Sequence, residues 1–350
     1  MAEIDFDLAR PRRIHVVGVG GAGMSAIAEV LAAMGHRVSG SDLHDSAVLR
    51  RLQGRGVTTS VGHHRSHVDG AEAVAVSTAI AADNEEVKAA RAAGIPLLRR
   101  ADALAAICAR RRTIAVAGTH GKTTTSAMLA TILLDAGRDP SFVVGGEVLG
   151  LGTGARWGRG EWMVVEADES DGTFLQLPAE VAVVTSIEPD HLEHWGGFGP
   201  LAAAFESFMA RVPGGRIVCG DDPEAAGVGR RHGAVTYGFL EGVDERIVDF
   251  RADRHRSRFE VEHDGCRRGA VTLAMPGRHN AANAVAATTA ALAAGVPFEE
   301  AAAALARFEG VARRFHLRGE RAGVTYVDEY AHLPGEVRAS LAAARDGGWR

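Results

Sequence analysis

Lys122 is one of two lysines in a chain of 350 residues whose remaining basic residues are arginines, and it sits behind Gly121 in the run AVAGTHGKTTT, Ala115 to Thr125. Ahead of it TIAVAG reads as a short buried strand; behind it SAMLATILLDAG reads as a helix. A strand, a glycine turn, Lys-Thr and a helix make a phosphate cradle. Backbone amides of the turn and the positive helix end face an anion, the ammonium adds a compact charge, and a following hydroxyl can bind Mg2+. This predicts nucleoside triphosphate binding by Gly118, Thr119, His120, Gly121, Lys122, Thr123 and Thr124. Only Thr119 and His120 separate the two glycines, where the common P-loop has four residues, so the loop is of a different, shorter type.

A second turn of this kind lies near the N-terminus. RIHVVGVGGAGMS places Gly18, Gly20 and Gly23 between a strand and a helix, and Asp42 ends the next apolar strand, where a carboxylate can bond ribose hydroxyls. Alone, this motif says nucleotide-diphosphate or dinucleotide binding, or close helix–strand packing. Two such loops about a hundred residues apart argue for two α/β domains with separate ligands.

Acidic residues and a histidine also follow apolar runs. EWMVVEADESD places Glu166 at a strand end, and VAVVTSIEPDHLEH does the same for His191. With the Thr123 hydroxyl these could complete a site for a hard cation that keeps several waters. The loop histidines His63, His64 and His67 are expected to be solvated rather than metal-binding.

The elements that must position these groups follow from the pattern. Residues 14 to about 110 alternate short strands with helical stretches, as a parallel sheet requires. Arg110 to Arg112 mark a hinge, after which the alternation restarts. Val235 to Leu273 is polar and alternating and is expected to form a smaller β region. AMPGR opens an Ala-rich helix, and VTYVDEYAH reads as a strand running into a helix from Pro334. A net charge of −5 offers no basic field for nucleic acid, and the Ala-rich stretch 281–296 is too short and too weakly apolar for a membrane span. Three widely spaced cysteines indicate neither a disulfide framework nor a zinc site, which fits a reducing cytoplasm.

GVGGAGMS, GSDL, GTHGKTTT, EADESD, EPDHLEH, PGRHNAAN, GVARRF and DEYAH occur in the order and approximate spacing of the Mur ligases, and almost the whole chain resembles that family. The resemblance implies a Rossmann-like UDP-sugar domain over residues 1–110 and a central P-loop-type ATPase domain over 111–316. It implies the start of a C-terminal Rossmann-like domain over 317–350. It implies ATP-dependent joining of L-alanine to UDP-N-acetylmuramate with Mg2+, in peptidoglycan precursor synthesis. By this resemblance Gly20, Gly21, Ala22 and Gly23 carry the UDP diphosphate and Asp42 the ribose. Lys122 contacts the transferred phosphate, Thr123, Glu166 and His191 hold Mg2+, and His279, Asn280 and Asn283 lie near the adenine. Tyr330 and His332 lie on the amino-acid side, and Arg314 leads into the third domain.

DEYAHLPGEV departs from the family's DDYAHHPTEV at Glu329, Leu333 and Gly335. No lysine follows Lys122, so the carbamylated lysine of some family members has no counterpart. The family's third domain is longer than the stretch after residue 317 by roughly a hundred residues, on the size of an average domain. It carries arginines for the amino-acid carboxylate, so the isolated chain is expected to hold substrates without completing ligation. Its last thirty or so residues are expected to be poorly ordered or sticky. Three alternatives stay open. A family member that attaches a whole peptide to the same UDP-sugar and a non-catalytic UDP-muramic acid module are two. An NAD-dependent oxidoreductase, which leaves the Lys-Thr loop idle, is the third. Oligomeric state is not legible.

Overall fold

The computed structural model describes residues 6–349. The chain divides into two compact units, one up to Arg112 with the short pieces 155–158 and 176–178, the other 113–154, 159–175 and 179 onward.

In the first unit, β1 (Arg13–Val17), α1 (Ala22–Ala33), β2 (Arg37–Asp42), α2 (Ala47–Gly54) and β3 (Thr58–Val61) are followed by β4 (Ala73–Val76), α3 (Glu85–Ala92), β5 (Leu97–Arg99) and α4 (Arg100–Cys108). The strands pair in parallel in the order β3-β2-β1-β4-β5. The central strands are covered on both faces, which is why RIHVV and AVAV read as nearly continuous apolar runs. Strand order reverses beside β1, and Gly18 follows it. That crevice at the carboxyl strand ends is where open α/β sheets bind ligands.

The second unit opens with β6 (Arg112–Ala117), α5 (Lys122–Asp135), β7 (Ser141–Val148), β8 (Thr153–Arg156), β9 (Trp162–Glu166) and β10 (Ala179–Val184). There follow α6 (Leu192–Trp195), α7 (Phe198–Arg211), β11 (Arg216–Cys219), α8 (Pro223–His232), β12 (Val235–Gly238), β13 (Glu245–Asp253), β14 (Arg256–His263) and β15 (Cys266–Leu273). Then come α9 (Arg278–Ala293), α10 (Phe298–Leu305), β16 (His316–Arg321), β17 (Val324–Asp328) and α11 (Pro334–Asp346). One ten-stranded sheet runs β15-β14-β13-β12-β11-β10-β6-β9-β7-β8. The polar stretch after Val235 therefore extends the main sheet, first by a parallel pair and then by an antiparallel meander. Its alternating pattern marks strands with one face packed and one solvated.

Helices α5 and α9 pack together on the sheet, with Met128, Leu129 and Leu133 buried against the small side chains of Ala284, Ala287 and Ala291. Alanines along α9 let the two helices approach closely and place the N-terminus of α5 beside that of α9. Residues 316–346 form a hairpin and a helix rather than an unstructured tail. Ala343 is buried in the core of the unit, while Val324, Tyr326 and Leu341 remain exposed. No helix among the described residues is long and apolar enough to cross a membrane.

Candidate active site

The phosphate loop joins β6 to α5, and its shape depends on two glycines. Gly118 has φ +128°, and a Cβ there would fall 2.2 Å from Thr185 Oγ1. Gly121 has φ +83°, and a Cβ there would fall 2.5 Å from Asn283 Oδ1. Both are positions where only glycine avoids strain and collision. The end of β10 clamps the loop: Thr119 N donates to Ser186 O at 3.0 Å, His120 N to Ser186 Oγ at 3.0 Å, and the Thr185 hydroxyl to His120 O. Glu188 N donates to Thr119 Oγ1 at 2.8 Å. α5 begins at Gly121 with no side-chain cap, so the charge of its N-terminus faces the loop rather than a capping group.

Lys122 does not point freely into the cavity. Its Nζ donates to Glu169 Oε2 at 2.7 Å, to Oε1 at 2.8 Å and to Gly118 O at 2.6 Å. The Glu169 side chain is 2% exposed. Burial pushes its carboxyl above the usual range, and the Lys122 ammonium offsets part of that rise. Glu169 was missed by the sequence reading although it lies inside EADESD. The motif shows an acidic run but not which carboxylate turns toward the loop.

Glu166, at the end of β9, accepts from Thr123 Oγ1 at 3.0 Å and from Gly145 N at 2.7 Å. His191 has a left-handed backbone, φ 50°, and its ring Nε2 stands 3.4 Å from Asp190 Oδ2. Thr123, Glu166 and His191 line one cavity of about 640 Å³ together with Lys122, Glu169 and Asn283. A hydroxyl, a carboxylate and an imidazole suit a hard cation that keeps most of its waters. Among the described residues no three His, Cys, Asp or Glu side chains form a ready-made metal shell.

The far side of the cavity is built by the start of α9 and by residues 314–340. Arg278 lies over the Phe239 ring, 3.6 Å from its centroid, a flat cationic surface whose pairing is not visible in either segment alone. Burial holds the His279 imidazole down at about 4, so it is neutral at pH 7. Asn280 spends its amide on Pro276 O at 2.8 Å, fixing the entry of α9. Tyr330 and His332 also line the cavity, with Arg313 stacked 4.5 Å from the Tyr330 ring centroid. Glu336 of α11 reaches His120 Nδ1 at 3.3 Å and Arg314 at 3.9 Å. Burial works to raise the Glu336 carboxyl, but the amides of His332 and Leu333 and the nearby imidazoles outweigh it and hold it low. Glu329 accepts from Phe315 N at 2.8 Å.

The glycine loop of the first unit is built separately. Gly18 N and Val19 N donate to Ser41 O at 2.9 and 3.0 Å, and Gly20 N donates to Asp42 Oδ2 at 2.8 Å. A Cβ on Gly20 would itself meet Asp42 Oδ2 at 2.8 Å. Gly21 caps α1 with its backbone alone, so Ala22 and Gly23 open the helix without a side-chain cap. Two of the three loop histidines correct the expectation of solvation: His64 is exposed, but His63 and His67 face the buried Glu86, at 2.9 and 2.6 Å, because α3 packs against the turn that carries them.

Residues 13–112 match the model of the Mur ligase family, catalytic domain, and residues 116–291 match the Mur ligase middle domain. The UDP-N-acetylmuramate–L-alanine ligase of Rhizobium meliloti is 48% identical over 95% of this chain and 73% of its own length. That of Solidesulfovibrio magneticus is 47% identical over 95% and 74%. The crystal structure of UDP-N-acetylmuramate-alanine ligase from Thermotoga maritima is similar with a TM-score of 0.86 at 29% identity, covering 96% of this chain and 78% of that one. UDP-N-acetylmuramate:L-alanyl-gamma-D-glutamyl-meso-diaminopimelate ligase from Neisseria meningitides gives 0.78 at 27% identity, over 87% and 100%.

Proposed function

Since the chain belongs to the Mur ligase family, we propose that it joins L-alanine to UDP-N-acetylmuramate at the expense of ATP, as its 47–48% identical relatives are named for doing. The observation that carries the reading is the convergence of Lys122, Thr123, Glu166 and His191 on one cavity beside the amides of a glycine loop. The first unit, with its glycine loop and Asp42, takes the UDP-sugar. ATP is taken by the second unit, where Gly118 to Thr124 hold its phosphates and Arg278, His279, Asn280 and Asn283 stand on the adenosine side.

A carboxylate is a poor electrophile, so its oxygen attacks the γ-phosphorus of ATP. The bond to the β-γ bridging oxygen breaks, and ADP and an acyl phosphate form. Lys122 and the loop amides offset the negative charge that crowds the transferring phosphoryl group. Thr123, Glu166 and His191 would hold Mg2+, which when bound neutralises phosphate charge. The amine of L-alanine then adds to the acyl carbon, and the tetrahedral intermediate expels inorganic phosphate. Water has to be kept out, since it would hydrolyse the acyl phosphate. Lys122 must exchange at least part of its contact with Glu169 for phosphate oxygens, and Glu169 remains close enough to return it to place.

Phosphate release from ATP is to be measured with UDP-N-acetylmuramate and Mg2+ and, in parallel, L-alanine, the free tripeptide L-alanyl-γ-D-glutamyl-meso-diaminopimelate or no amine, beside Lys122→Ala. Tyr330 and His332 of the last segment already line the phosphate-loop cavity, so in place of substrate holding alone the proposal expects L-alanine to give release that the variant loses. Release with the tripeptide instead would favour the peptide-attaching relative. Retained UDP-sugar binding without release would leave a binding module.

A further inference from the structure

Glu86 lies at the start of α3, outside the cavity of the second unit, with its side chain 0% exposed. A carboxylate buried this deeply needs several donors. Ser41 Oγ donates to Oε2 at 2.6 Å, His64 N to Oε1 at 3.3 Å, His63 Nδ1 meets Oε2 at 2.9 Å and His67 Nδ1 meets Oε1 at 2.6 Å. His15 of β1 is also buried. Its Nδ1 meets Ser39 Oγ at 2.9 Å, while its Nε2 has no hydrogen-bond partner among the described residues and stands 3.7 Å from Glu86 Oε1. One side chain thus gathers β1, β2, the turn after β3 and α3.

We infer that Glu86 is the positioning residue of the UDP-sugar site in the first unit, acting through Ser41 and the His63–His67 turn. This rests on the reading of that unit given above. Ser41 is the link. Its hydroxyl is held by Glu86, while its carbonyl accepts both Gly18 N and Val19 N, the amides that set the glycine loop. The turn is tied to the same place, since Gly62 N donates to Asp42 O at 2.7 Å, and Asp42 in turn holds Gly20 N. Loss of the carboxylate releases Ser41 and the turn together, and with them the two anchors of the loop. The same geometry dictates proton positions. His63 and His67 both meet the carboxylate through Nδ1, so in their neutral forms each carries its hydrogen on Nδ1 and leaves Nε2 bare. Burial opposes the charge on Glu86, but His15, Ser41 and His67 outweigh it and keep the group ionised well below the usual carboxylate range.

The test uses the full chain, titrated calorimetrically with UDP-N-acetylmuramate and, separately, with MgATP. Glu86→Gln keeps the shape but places an amide N–H₂ against donors. It is expected to weaken UDP-sugar binding at least tenfold and to leave MgATP binding unchanged, with Glu86→Asp recovering part of the loss. Imidazole ¹⁵N shifts of the wild type at pH 8 are expected to show the Nδ1–H tautomer for His63 and His67, a readout that does not depend on any variant folding. Equal UDP-sugar affinity in wild type and Glu86→Gln, or Nε2–H tautomers at both histidines, would overturn the inference alone. Failure of the wild type to bind the UDP-sugar would overturn the inference and the reading of the first unit together.

Discussion

Replacing Lys122 by methionine keeps most of the side chain's apolar stem but leaves Glu169, 2% exposed, without its cation. An unpaired buried carboxylate escapes by taking up a proton. Relative to an unfolded carboxyl at 4.5, holding that proton at pH 7.5 costs about 3 × 1.36, or ~4 kcal/mol, and at pH 5.5 about 1.4 kcal/mol. The upper figure agrees with the ~3–5 kcal/mol seen when one partner of a buried pair is removed. The sign follows from proton counting: in the variant the folded state binds more protons than the unfolded state above pH 4.5, so stability falls as pH rises. Urea unfolding of wild type, Lys122→Met and Lys122→Met/Glu169→Gln should be compared at pH 5.5 and 7.5. Relative to the wild type, whose Glu169 is itself raised, the single variant should lose up to about 2–3 kcal/mol more at pH 7.5 than at 5.5. The double variant, with a neutral amide in place of the carboxylate, should lose that pH dependence. A penalty equal at both pH values, or the same in single and double variants, would refute the claim that Glu169 is held by Lys122.

Gly121→Ala should destabilise the second unit by about 2 kcal/mol or more and abolish MgATP binding, since the new methyl strains a residue at φ +83° and strikes Asn283; a melting curve and a nucleotide titration check both. Asp42→Ala should weaken UDP-sugar binding about tenfold while leaving MgATP affinity intact, because it frees Gly20 N and removes the proposed ribose acceptor. His279 is held at about 4 against 6.5 in the unfolded chain, so the unfolded state binds more protons between those values and stability falls as pH drops from 6.5 to 4. His279→Gln should lose up to about 3 kcal/mol of that acid sensitivity, measured as the pH dependence of unfolding. Glu166→Gln should raise the Mg2+ concentration needed for half-maximal phosphate release by about tenfold or more, with UDP-sugar binding unchanged.

The local parts of this account were legible in the sequence. Gly118, Gly121, Lys122 and Thr123 lie within six residues, so strand, turn and helix follow from one short run, and the phosphate chemistry proposed for them rests on the same run. Gly20 with Asp42 needed only one βαβ step, and the Ala-rich composition of α9 announced a closely packed helix. What escaped were pairings across the fold. Glu169 and Lys122 are 47 positions apart and meet because β9 lies next to β6 in the sheet. Arg278 and Phe239 meet only because β12 to β15 continue the main sheet instead of forming a separate region. His63 and His67 looked solvated because nothing in their neighbourhood shows that Glu86, some twenty residues on, turns inward beneath them. In the first two cases a charged residue is placed by strand order and in the third by the packing of α3 on a turn, neither of which the periodicity of a single segment contains.

The central claim is that the sugar's carboxylate attacks ATP at the cavity lined by Lys122. UDP-N-acetylmuramate labelled with ¹⁸O in its carboxylate should be incubated with the chain, ATP, Mg2+ and hydroxylamine as the trapping amine, and the released phosphate examined by mass spectrometry. Phosphate carrying one ¹⁸O, together with a hydroxamate of the sugar, and neither with Lys122→Ala, is the predicted result. Unlabelled phosphate, or labelled phosphate undiminished in the variant, would contradict it.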